Sequence, residues 1–168
     1  AGAGMGRAEA ILFAERGADV IVQDVKAESA KETAELAREY GNRVYLIVED
    51  VADIKAMAAK IAAAEKALGR IDVLVNNAGI GGLQRPIEEV DEAIFDRMFA
   101  VSVKGPFYAA QTVLPGMKAR AQGSIINISS DLAMNGSRAQ SHYTRAKAAM
   151  LGLTKAWAKE LAPFRIRV

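Results

Sequence analysis

Short, nearly uninterrupted apolar runs alternate along this chain with longer segments of helical periodicity, and this alternation restricts the fold more than any other feature. Asp19–Asp24, Arg43–Val48, Ile71–Asn76, Ser124–Ser129 and Ile166–Val168 read as strands. Helical patterns occupy roughly 4–16, 27–40, 53–68, 91–121 and 141–162. The segment 53–68 shows the logic: Asp53 can cap it, Ile54, Met57, Ile61, Ala64 and Leu68 recur at helical spacing, and Gly69 ends it. Runs such as VIVQD and IDVLVNN suit strands covered on both faces, as in a parallel sheet. Strand–helix alternation then implies right-handed crossovers and a doubly wound α/β fold. Gly105-Pro106 falls inside the pattern 91–121, so a kink or local break is expected there.

The chain has 168 residues, a quarter of them charged, with a net charge of +2 and acids and bases interspersed. That length suits one domain, 1–168. No basic block points to nucleic acid and no apolar run is long enough to span a membrane, so neither partner is expected. Without cysteine there is no thiolate chemistry, and a single histidine, His142, cannot build a multi-histidine metal site. His142 itself is expected on the helix surface, about 100° around from its neighbour Tyr143.

Two features suggest a dinucleotide site. Residues 1–8 read Ala-Gly-Ala-Gly-Met-Gly-Arg-Ala. Glycines there would let the backbone approach a pyrophosphate at a helix N-terminus, where free N–H groups and the dipole favour anions. Gly2, Gly4, Met5 and Gly6 are the expected contacts. Asp24, at the end of VIVQD, can accept hydrogen bonds from adenosine ribose hydroxyls and would repel a 2′-phosphate, which favours NAD over NADP. An ordinary flexible terminus and a helix-capping aspartate are the bland alternatives.

Tyr143-Thr-Arg-Ala-Lys147 sets a phenol and an ammonium four residues apart, on one helix face. A nearby cation stabilises phenolate, so Tyr143 can act as general acid or base nearer neutral pH. Ser130 ends the run SIINISS, where side chains at the carboxyl ends of parallel strands face a ligand crevice. Its hydroxyl can donate to a substrate carbonyl as charge develops. Trp157, Leu153 and Leu161 form a helical stripe suited to a core or subunit interface.

Taken in order, the glycine turn, Asn76-Asn77-Ala78-Gly79, Ser130, Tyr143 and Lys147 resemble the short-chain dehydrogenase/reductase family over essentially the whole chain. Ser130 precedes Tyr143 by 13 residues, which is the family spacing. In that register Gly4 and Gly6 are the second and third glycines of Thr-Gly-x-x-x-Gly-x-Gly. Gly2 falls inside the x-x-x stretch, and Ala3 stands where NADP-preferring relatives often carry a base. The resemblance implies that Asp50 and Val51 lie near the adenine, and that Asn77, Ala78 and Gly79 border the cofactor. Tyr143 and Lys147 would touch the nicotinamide side, Lys147 through the ribose hydroxyls. Ser102 stands where relatives carry the asparagine of a proton relay, a departure that puts a shorter side chain in that role.

The expected activity is hydride transfer between NAD(H) and a secondary alcohol or ketone, in a cytoplasmic enzyme that is tetrameric when complete. A 3-oxoacyl thioester reductase and a non-catalytic dinucleotide binder are the alternatives. Gly81, Gly82, Gln84, Asp131, Leu132, Gly136 and Arg138 are expected to line the substrate pocket, without naming a substrate. The resemblance begins inside the glycine turn and stops at Val168, so the fold is expected to lack its first strand and its C-terminal strand and loop region. Losing five apolar side chains at ~1.5–3 kcal/mol each is comparable with whole-domain stability. Residues 1–168 alone are therefore expected to be inactive.

Overall fold

The computed structural model describes residues 1–81 and 84–168. Gly82, one of the expected pocket residues, lies outside them. The described chain forms two compact units, Ala1–Ile71 and Asp72–Val168.

The first unit runs α1 (Gly4–Glu15), β1 (Val20–Asp24), α2 (Ala27–Arg38), β2 (Val44–Val48) and α3 (Ile54–Leu68). β1 and β2 pair in parallel, with Val20 opposite Val44 and Asp24 opposite Val48. Ala10 and Ala14 from α1, Ala30, Ala34 and Ala37 from α2, and Val20 and Val22 from β1 form the core, with Phe13, Leu46 and Val48 packed against it. Alanines on both helices allow their backbones to approach closely, and the β-branched Val20 and Val22 of β1 pack into the same core. α3 forms as its sequence dictates. The Asp53 carboxylate accepts the Ala56 N–H at 3.0 Å, and Gly69, with φ of 91°, ends the helix by donating to Glu65.

The second unit holds β3 (Val73–Asn76), α4 (Glu92–Phe99), α5 (Gly105–Arg120), β4 (Gly123–Asn127), α6 (Leu132–Asn135), α7 (Ser141–Leu161) and β5 (Ile166–Arg167). Its strands make a parallel sheet in the order β3-β4-β5. Long helical crossovers join them, as parallel pairing requires. Gly123 is required by packing: a Cβ there would lie 2.6 Å from the Met117 sulfur.

All five expected strands are present, and the arrangement is the Rossmann-like α/β one, with the described strands in two parallel sheets. The long pattern 91–121 differs in detail. α4 passes into α5 through a π-helical turn, Ala100–Lys104, in which the Gly105 N–H donates to the Ala100 carbonyl five residues back. Pro106 has no N–H for the Ser102 carbonyl, and its ring crowds that carbonyl. A widened turn just before Pro106 relieves the conflict, so the expected break is a π-turn and the helix resumes.

Candidate functional site

In the first unit the glycine turn meets Asp24. Gly2 is buried, and its N–H donates to Asp24 Oδ2 at 2.8 Å. The Lys26 N–H donates to Asp24 Oδ1 at 2.9 Å, and the Ala1 nitrogen lies 3.1 Å from Oδ2. Partial burial pushes the Asp24 pKa up, but these donors outweigh it and hold the carboxyl below its usual 3.8. Asp24 thus joins the glycine turn to the start of α2, since Lys26 is the residue that caps that helix.

α1 begins at Gly4, whose φ of +54° suits glycine, after an extended Ala3 that offers no side-chain cap. Its first N–H groups lie ahead of any intrahelical acceptor. Met5 is exposed beside them, whereas Gly6 is buried against the core. Asp50 closes its own turn by accepting the Ala52 N–H at 2.9 Å, with Val51 half-buried next to it.

In the second unit the chemistry-bearing residues gather at the carboxyl ends of β3 and β4. Asn76 ends β3 and donates to Asn127 Oδ1 at 2.8 Å; Asn127 donates to Thr154 Oγ1 at 2.9 Å. This ladder ties β3, β4 and α7 together beneath the segment Asn77-Ala78-Gly79. Lys147 is only 5% exposed, and its Nζ donates to the Ile128 carbonyl at 2.8 Å. Burial pushes its pKa below the usual 10.5. Gly79 leaves room for this ammonium, since a Cβ there would come within 3.4 Å of Nζ.

Tyr143 is half-buried, with Lys147 Nζ 6.0 Å from its ring centroid. Tyr143 packs against the buried cluster Met98, Val103 and Ala146, as does Ile80, and a Cβ at Gly81 would lie 3.9 Å from the Tyr143 Cε2. Tyr143, Lys147, Gly79 and Gly81 are thus in one cluster. Ser130 follows the two residues that hold Lys147. Its hydroxyl lies 3.1 Å from Asp131 Oδ1 and accepts the Leu132 N–H at 3.2 Å. Ser102 sits in the π-turn, 2% exposed, with its hydroxyl 3.7 Å from the Met98 sulfur.

Three features were not anticipated. Ser129 donates to the Lys147 carbonyl at 2.8 Å, a role hidden behind the more conspicuous Ser130. Arg7 binds the Gly2 carbonyl and α2. His142 is buried, 2% exposed, and not on the surface. It shares a helical stripe with Ala146 and Met150, both also buried, and that i, i+4, i+8 spacing was the available signal. Trp157 packs its ring 5.7 Å from that of Phe107, and Leu161 is fully buried, in line with a core role for that stripe.

No helix among the described residues is long and apolar enough to cross a membrane. Among them no cluster of His, Asp or Glu is placed to hold a metal ion.

Comparison with known proteins supplies an independent test. An uncharacterized oxidoreductase of Thermotoga maritima is 41% identical over all of this chain and 66% of its own length. The 3-oxoacyl-[acyl-carrier-protein] reductase FabG of the same organism is 38% identical, with 68% of its length covered. The chain thus spans about two thirds of these relatives. The solved structure of a 7α-hydroxysteroid dehydrogenase, complexed with NADH and 7-oxo glycochenodeoxycholic acid, superposes with a TM-score of 0.94 at 34% identity. That match covers 99% of this chain and 65% of the dehydrogenase. The sequence profile of the short chain dehydrogenases matches residues 1–168, and the chain belongs to that family.

Proposed function

We propose that this chain is the catalytic segment of an NAD(H)-dependent oxidoreductase that interconverts a secondary alcohol and a ketone. The observation that carries the reading is the pairing of Tyr143 with a buried Lys147, whose ammonium is held at the end of β4 beside Gly79.

Each unit carries residues suited to one part of a nicotinamide dinucleotide. The uncapped start of α1, reached through small residues, suits a pyrophosphate. Asp24 keeps an ionised carboxylate for ribose hydroxyls, with Asp50 and Val51 toward the adenine. Asn77, Ala78 and Gly79 would border the ribose on the nicotinamide side, and Lys147 would donate to its hydroxyls. The cofactor, when bound, supplies the hydride acceptor or donor at its nicotinamide ring. Solved family members carry NAD or NADP. Asp24 and the absence of a base at Ala3 support NAD(H) here.

Tyr143 exchanges a proton with the substrate oxygen: it takes the alcohol proton in oxidation and returns one in reduction. The positive charge of Lys147, 6.0 Å from the Tyr143 ring, would attract negative charge developing on the reacting oxygens. Ser130 donates to the same oxygen, and binding of substrate would draw its hydroxyl away from Asp131. Ser102 takes the relay position. Its hydroxyl meets a thioether, a weak acceptor that a better partner would displace at little cost. A small alcohol or carbonyl compound is the substrate class. Association between copies would use α7 together with α4, which exposes Phe95 and Phe99, and α5, which exposes Phe107 and Tyr108.

A 3-oxoacyl thioester reductase is the second reading, favoured by the 38% identity to FabG. Turnover of the intact protein with NADH and with NADPH, over a panel of ketones and 3-oxoacyl thioesters, separates them. NADH oxidation with simple ketones supports the first reading. NADPH-linked reduction confined to thioesters supports the second, and binding of NADH without turnover of any carbonyl would contradict both.

A further inference from the structure

Arg7 lies in the first turn of α1, where the helix dipole disfavours a cation. The structure shows what holds it there. Its Nη2 donates to Glu32 at 2.6 Å, and its Nε and Nη2 donate to the Gly2 carbonyl at 3.0 and 2.6 Å. Nε also reaches Thr33 Oγ1 at 3.1 Å. Thr33 is fully buried and is itself fixed by donating to the Ser29 carbonyl at 3.0 Å. The guanidinium therefore bridges the glycine turn and the face of α2.

The peptide bond turns this bridge into a statement about binding. In a planar trans peptide the C=O of one residue and the N–H of the next point in opposite directions. Fixing the Gly2 carbonyl on Arg7 therefore aims the Ala3 N–H away from α2, on the side of the turn opposite the guanidinium. The Gly2 N–H, on the other side of that residue, is fixed on Asp24. Both peptides flanking Gly2 are thereby oriented.

Resting on the dinucleotide reading above, we propose that Arg7 is a positioning residue for pyrophosphate binding. It presents the Ala3 N–H to the diphosphate, and its bonds to Glu32 and Thr33 keep the guanidinium from swinging round to bind the phosphate itself. The fork geometry is what matters: a lysine at this position supplies the charge but cannot hold Gly2, Thr33 and Glu32 together.

The test compares Arg7→Lys with the wild type in the intact protein, using ADP-ribose, which carries the diphosphate, and adenosine, which does not. Losing one oriented donor predicts ADP-ribose binding weakened by about fivefold or more. Adenosine affinity should stay within about twofold, KM for NADH should rise, and kcat at saturating NADH should hold, since Asp24 and the Tyr143 cluster are untouched. Glu32→Gln, at a 60% exposed side chain, should shift ADP-ribose in the same direction. Unchanged ADP-ribose binding in Arg7→Lys would overturn the assignment and mark charge alone as sufficient. Parallel weakening of both ligands would overturn it too, in favour of a general loosening of the fold. A wild type that binds neither ligand would instead remove the dinucleotide reading on which the assignment stands.

Discussion

Ser129 and Lys147 hold one another at the end of β4: the Ser129 hydroxyl donates to the Lys147 carbonyl at 2.8 Å, while the Lys147 ammonium donates to the carbonyl of adjacent Ile128 at 2.8 Å. The lysine is anchored at both its backbone and its tip. Ser129→Ala should lower stability by about 1 kcal/mol, the net worth of one hydrogen bond. It should also reduce kcat severalfold with KM for NADH nearly unchanged, because α7 can then shift Tyr143 relative to the strand end. Denaturant unfolding together with steady-state kinetics checks both; a stability loss with no change in kcat would leave Ser129 a purely structural residue.

Burying Lys147 has a pH signature. Its folded pKa lies below 10.5, so between that lowered value and 10.5 the unfolded chain binds more protons than the folded one. The contribution of Lys147 to stability is therefore complete above 10.5 and lost as pH falls through the folded value. Lys147→Met should match or exceed the wild type at neutral pH by about 1 kcal/mol while losing activity. Its advantage should shrink as pH rises toward 10.5, which paired melts across that window would show.

Gly2 is buried against the first turn of α2, where an added Cβ would lie 2.5 Å from Ser29 Oγ, 3.0 Å from its Cβ and 3.1 Å from the Ala30 nitrogen. Backbone cannot yield as a flexible side chain can. Gly2→Ala should cost about 1–3 kcal/mol by overpacking and weaken NADH binding as the turn lifts from Asp24. Calorimetry and NADH titration would reveal it, and a fully stable variant with native affinity would show that the turn has slack.

Asp24 should govern cofactor choice across the working pH range. Its pKa lies below the usual 3.8, so the carboxylate is ionised throughout the neutral and mildly acidic range. Its pH-linked stability is present above 3.8 and lost as pH falls through the lowered value. Asp24→Asn should cut the ratio of kcat/KM for NADH over NADPH by about tenfold or more, the equivalent of removing one close repulsive charge. The wild-type ratio should be flat from neutral pH down to about pH 5.

The sequence made the strands legible because apolar runs such as Val20–Val22 and Leu74–Val75 are bounded by polar or turn residues. It made the capped helix α3 legible through Asp53 and Gly69. The glycine turn, Asp24, Tyr143 and Lys147 stood out by residue type and spacing. What stayed hidden depends on backbone geometry. α6 is only four residues long and offers no period to detect. The π-turn at Ala100–Lys104 arises from the steric conflict at Pro106, and its i→i+5 bond has no apolar signature. Ser129 binds a carbonyl, and Arg7 binds a carbonyl together with side chains 25 and 26 residues away, pairings that a sequence does not display. His142 was misread because a single residue's angular offset from Tyr143 was weighed without the Ala146–Met150 stripe beneath it.

Tyr143→Phe keeps the ring that packs on Met98, Val103 and Ala146 and removes only the hydroxyl. Single-turnover hydride transfer with saturating NADH, measured in the intact protein alongside NADH affinity, isolates that hydroxyl's contribution. The account predicts a rate lowered by about 10²–10⁴-fold with NADH affinity preserved. A variant that transfers hydride at the wild-type rate would contradict it.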